Sequence, residues 1–169
     1  FAVMDGRLAI IFWIASLFGA EDVRQYPTDE LSFSTGALQF DGALAGAELR
    51  ASYYDNRLGR FTTVWDGSIT DQGGLWLGYG LYQQFGFNLG QQDYFLGLTF
   101  APGLYIQGGE VDLGLPLEIR SGFEVGTYIN DDWRLSLSYD HRSNGDLVAL
   151  NPGIETIEIR LSRSFGRTR

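Results

Sequence analysis

From residue 29 onward the chain has no helical periodicity; strand-like alternation of apolar and polar residues recurs instead. Eight such stretches stand out: 29–39, 45–55, 59–70, 74–86, 92–104, 114–129, 132–143 and 153–165, separated by turn-forming residues. A strand that crosses a bilayer needs about 9–11 residues, and each stretch reaches that length. An even number of strands lets the first and last meet antiparallel, as single-chain barrels of bacterial outer membranes do. The expectation is all-β: one eight-stranded antiparallel transmembrane β-barrel over 29–165.

The alternation is clearest in 114–129. Leu115, Leu117, Ile119, Phe123 and Val125 fall on one face, with Ser121 among them, while Glu118, Arg120, Gly122 and Glu124 fall on the other. A soluble sandwich would turn the apolar face inward; a narrow membrane barrel turns it outward and fills its interior with charges and glycines. Strand length, strand number and an export-like N-terminus favour the membrane. Composition agrees, with aromatics at 15 %, 23 glycines and only 4 prolines. Three connections read as short (56–58, 87–91, 130–131), and 66–74, 105–113 and 144–152 read as long. Short turns on the periplasmic side and long loops outside would put the 144–152 loop at the cell exterior.

At the N-terminus, Arg7 precedes an apolar run, 8–20, and then the polar Glu21-Asp22. The run is too short to span a bilayer as a helix and suits the apolar region of a secretory signal. Residues 1–20 are therefore read as signal-peptide-like, 21–28 as a lead-in, and 166–169 as a C-terminal extension. No cysteine and a single histidine leave no disulfide and no thiolate or polyhistidine metal centre. A net charge of −9 argues against broad nucleic-acid binding. All twelve basic residues are arginine, a usage suited to bidentate contacts.

The chemistry sits in the last two stretches. In 132–143 the odd positions run from Trp133 through Leu135, Leu137 and Tyr139 to His141 and Ser143, so the only histidine and a serine continue the apolar face. In 153–165 the same face carries Glu155, Ile157, Ile159 and Leu161. A hairpin register in which paired numbers sum to 296 sets Leu135 beside Leu161, Leu137 beside Ile159, Tyr139 beside Ile157 and His141 beside Glu155. Directly opposed side chains have Cβ atoms about 5 Å apart. Ser143, His141 and Glu155 then line up as nucleophile, base and base-orienting carboxylate. A charge on a barrel's lipid face costs about 2–4 kcal/mol at midplane but about 0–1 near the interface, where these residues lie. On the residues alone, a solvated polar rim stays an open alternative. Arg134 and Arg163 read as an opposed pair at the periplasmic rim or as contacts for lipid phosphates.

The stretch Tyr139-Asp140-His141-Arg142-Ser143-Asn144-Gly145, followed by Asn151-Pro152-Gly153-Ile154-Glu155, resembles the PagL-type lipid A 3-O-deacylase family, which carries a His-x-Ser-Asn motif, an Asn-Pro-Gly turn and a downstream glutamate. The resemblance implies a small outer-membrane barrel whose triad, Ser143, His141 and Glu155, faces the outer leaflet and removes an acyl chain from lipid A. It also implies that the chemistry requires no metal or organic cofactor. Asn144, Gly145 and Asn151 become the candidates for oxyanion binding or its support. The implied partners are lipid A or lipopolysaccharide as substrate and the outer membrane, with homodimerisation left open. This chain departs from the pattern in the charges of Arg142 and Asp146 and in the tail after Phe165, where such barrels commonly end on an aromatic. Three other readings remain: a structural or adhesion barrel without catalysis, a soluble lipocalin-like carrier with Leu135, Leu137, Ile157 and Ile159 inward, and an esterase for another amphiphile.

Overall fold

The computed structural model describes residues 28–165 and Ile14. Apart from Ile14, the signal-like segment 1–20 lies outside the described residues, as do 21–27 and the tail 166–169. Eight strands follow one another: β1 (Glu30–Phe40), β2 (Ala43–Leu58), β3 (Phe61–Thr70), β4 (Leu75–Leu89), β5 (Gln92–Ile106), β6 (Leu117–Tyr128), β7 (Trp133–Ser143) and β8 (Ile154–Ser164). Each pairs antiparallel with the next, and β8 pairs with β1 to close the barrel. Every expected stretch overlaps one of these strands, and β1, β2, β4 and β5 run past their expected ends.

The barrel is inside-out relative to a soluble protein. Phe33, Leu77 and Ile159 are each 61 % exposed on the outer wall, whereas Arg120, Glu158 and Arg160 are each 1 % exposed within. Leu135, Leu137, Ile157 and Ile159 all point outward, which removes the lipocalin-like reading. An apolar outer wall with a charged interior is stable only when lipid surrounds it, so this is an outer-membrane type of barrel.

The interior is held by a ladder of ion pairs. Arg50 binds Asp66, Asp140 and Glu158. Arg120 binds Glu48 at 2.8 Å, and Arg160 binds Glu124 at 3.2 Å. Arg142 reaches Glu110 at one end, and Arg134 joins Glu30 at the other. Arginines paired with carboxylates are the form in which such charge can be enclosed. Glycine supplies the room: a Cβ on Gly97 would lie 2.7 Å from both Tyr82 Cε2 and Glu124 Cγ. Above the ladder, Leu38, Trp76, Tyr105, Leu113 and Ile154 form an apolar cap.

Several sequence expectations need correction. The connection expected at 66–74 is only 71–74, because Asp66 and Ser68 are lumen-facing residues of β3, and polarity there marks the interior of the barrel. The connection after β1 is also short: Asp41 and Gly42, at φ 50° and 75°, form the mirror-image turn of a two-residue hairpin. The loop between β5 and β6 runs over 107–116, later than the expected 105–113, because β5 continues to Ile106 and β6 begins only at Leu117, with Leu113 of the loop folded into the cap. Arg134 and Arg163 are not opposed. Arg134 pairs with Ser162 and faces the lumen, while Arg163 pairs with Trp133 on the outer wall and stacks over its ring at 5.4 Å.

Candidate active site

The β7–β8 hairpin adopts the register expected from the sequence: Leu135 opposes Leu161, Leu137 opposes Ile159, Tyr139 opposes Ile157 and His141 opposes Glu155. A shift of one residue would have sent every one of these side chains to the other face. His141 Nδ1 stands 3.4 Å from Glu155 Oε1, with both side chains about one-eighth exposed. That is an ion-pair distance, longer than a formed N–H···O bond. Catalytic hydrogen bonds are commonly loose before substrate binds. Ser143 ends β7 two residues from His141, on the same face and largely buried.

The 144–153 connection that joins these strands is fastened by its two asparagines. Asn144 is fully buried, and its Nδ2 donates to the carbonyls of Leu113 at 2.7 Å and Leu150 at 2.6 Å. The Asn144 backbone N–H donates to Asn151 Oδ1, and Asn151 Nδ2 donates to Asp146 Oδ1 at 2.8 Å. Asn144 therefore ties this loop to the 107–116 loop, and Asn151 braces the turn that follows Ser143. Both Asn144 side-chain protons are spent on carbonyls, which leaves the backbone N–H of Gly145, at φ 65°, as the donor nearest to Ser143 in the chain.

Two residues of this site were not singled out from the sequence. Gly153, at φ 71°, lies against the His141 ring; a Cβ there would sit 2.6 Å from Cε1 and 3.2 Å from Nε2. Its place in the Asn-Pro-Gly motif reads as turn chemistry, and only the fold reveals the ring upon it. Ser121 on β6 opposes His141 from the side away from Glu155 and is also buried. Its serine interrupts an otherwise apolar outward row, and that interruption was the available signal.

A family model for "Lipid A 3-O-deacylase (PagL)" matches residues 34–164. No curated protein sequence matches significantly. Among solved structures, the crystal structure of the outer membrane enzyme PagL superposes with a TM-score of 0.62 at 16 % identity, covering 79 % of this chain and 97 % of that one. Neisserial surface protein A gives 0.52 at 10 % identity, covering 80 % and 95 %. A de novo designed transmembrane β-barrel gives 0.54 at 7 % identity, covering 83 % and 98 %. These likenesses establish the eight-stranded membrane barrel, and the family match across β1 to β8 places this chain in the PagL lipid A 3-O-deacylase family.

Proposed function

We propose that this barrel is a serine esterase that hydrolyses the 3-O-linked acyl ester of lipid A at the outer-leaflet end of its wall. The observation that carries the reading is the cross-strand pairing of His141 with Glu155, two residues from Ser143, in a chain of the deacylase family. The two longest connections, 107–116 and 144–153, lie at the same end of the barrel as this cluster, and long loops face the cell exterior in such barrels. Lipid A occupying the outer leaflet would meet the site from the side.

In this reading Ser143 Oγ attacks the ester carbonyl carbon while His141 Nε2 takes its proton. Glu155 holds Nδ1–H and stabilises the imidazolium. The Gly145 N–H faces the developing oxyanion, and Asn144 and Asn151 keep that loop in place. Collapse breaks the ester C–O bond, and His141 returns the proton to the departing 3-hydroxyl of the sugar. A water molecule, deprotonated by His141, then releases the fatty acid from Ser143. The chemistry needs no cofactor.

The test is purified barrel in mixed micelles with lipid A or with a diacyl phospholipid, with released fatty acid identified by mass. Release of a 3-hydroxy acid from lipid A, absent with Ser143→Ala, supports the reading. Release from phospholipid alone assigns a different ester. A folded barrel that releases nothing from either is a non-catalytic barrel.

A further inference from the structure

Barrel closure brings a further polar side chain to the level of the candidate triad. β1 pairs with β8, and Gln39 opposes Glu155 there, on the side away from His141. At one level of the outer wall the strands β6, β7, β8 and β1 thus present Ser121, His141, Glu155 and Gln39. The neighbours of Gln39 on its own outward row are Phe33, Thr35 and Ala37, and the residue opposing it from β2 is Leu44. A primary amide on a wall that faces lipid is costly unless it has a polar partner. Glu155 is the polar group directly across from it.

The ladder is irregular at this level too. Leu38 pairs with Gly46 but Gln39 pairs with Leu44, so Ala45 is an extra residue on β2. Bulges of this kind re-aim a side chain and cluster near active sites. Gln39 is half-buried where the bulge falls.

We propose that Gln39 is a positioning residue for Glu155, its side-chain amide donating to the carboxylate so that the other oxygen stays aimed at His141 Nδ1. Oε1 is the oxygen 3.4 Å from Nδ1. Glu155 has His141 opposite it on β7 and Gln39 opposite it on β1, and a charge-assisted hydrogen bond from an amide on that second side would fix the carboxylate's direction. Support of a ligand's partner from behind is how many sites hold an imidazole in one tautomer. The other groups about His141 on this face are Tyr139 on its own strand and Ser121 and Ile119 on β6, while Asp140 and Arg142 point to the lumen. The inference deepens the triad reading and rests on it.

The test uses the whole barrel, untagged, folded in micelles with 15N-labelled histidine. The chain holds one histidine, so its two ring nitrogens supply every imidazole signal. The wild type is expected as the Nδ1–H form when neutral. Gln39→Leu, and the nearly isosteric Gln39→Met, place an apolar side chain on a lipid-facing wall, and the heat-dependent shift of a folded barrel on a gel checks both. The expected result is a mixture of Nδ1–H and Nε2–H forms, with kcat on lipid A lowered about tenfold and KM within about twofold. In a Glu155→Gln background, Gln39→Leu should leave the tautomer ratio where Glu155→Gln put it. A wild-type ratio in both single variants overturns the proposal, and so does an equal change in the Glu155→Gln background. A wild type without deacylase activity whose tautomer ratio still follows Gln39 sinks the deacylase reading and leaves this one standing.

Discussion

Glu155, the second residue of β8, stands directly across from His141 on β7, with 3.4 Å between its Oε1 and the ring Nδ1. In the proposed triad the carboxylate orients the ring, and its negative charge matters more than its bulk. Glu155→Gln keeps the shape and removes the charge. Loss of the carboxylate from a serine triad costs about 10⁴ in kcat, and a fall of about that size is expected in released fatty acid, with the barrel still folded.

Two serines flank His141, Ser143 along its strand and Ser121 across from it. Ser143→Ala should abolish turnover, whereas Ser121→Ala should keep it within about threefold, because the ring is drawn toward β8 and away from β6. A fluorophosphonate followed by peptide mapping checks this, with the adduct expected on Ser143 alone.

His141 can lie against β8 only because residue 153 has no side chain. Gly153→Ala forces the ring off its seat, and misplacement of a catalytic group by about 1 Å costs about 10²-fold. The same substitution at Gly42 also faces a positive φ but meets nothing within 4 Å, so it reports backbone strain alone. The expected outcome is a large loss of kcat at Gly153 and none at Gly42, measured side by side on the same ester.

Asn144 spends its amide on two carbonyls from separate segments. Asn144→Leu leaves the Leu113 carbonyl without a donor in a buried place, a cost of about 1–3 kcal/mol, while the more exposed Leu150 carbonyl can turn to water. Urea unfolding followed by tryptophan fluorescence should show that loss, and proteolysis should cut first in 144–153 or 107–116. Arg50→Met should cost about 3–5 kcal/mol in the same assay, because it removes the ion-pair partner of Asp66 and the shortest ion pair of Asp140 and of Glu158.

The barrel and its hairpin were legible because period-two alternation states which face each residue takes, and one apolar face aligned on another fixes the register. Leu135, Leu137 and Tyr139 set the frame that delivers His141 to Glu155. Polarity misled where it marks the lumen: Asp66 and Ser68 resemble turn residues until the inside of the barrel is known to be charged. Gln39 and Ser121 were illegible for another reason. Gln39 meets Glu155 only through closure of the first strand on the last, and Ser121 was one hydroxyl in an apolar row. The seat at Gly153 depends on ring placement, which spacing in a sequence does not carry.

The most direct measurement is the lipid A of a Gram-negative host that carries this barrel, recorded by mass spectrometry beside the Ser143→Ala variant at equal amounts of folded protein. Loss of one 3-hydroxyacyl mass with the wild type and intact lipid A with the variant is the predicted result. Intact lipid A in both, or the same loss in both, would contradict a Ser143-dependent deacylase.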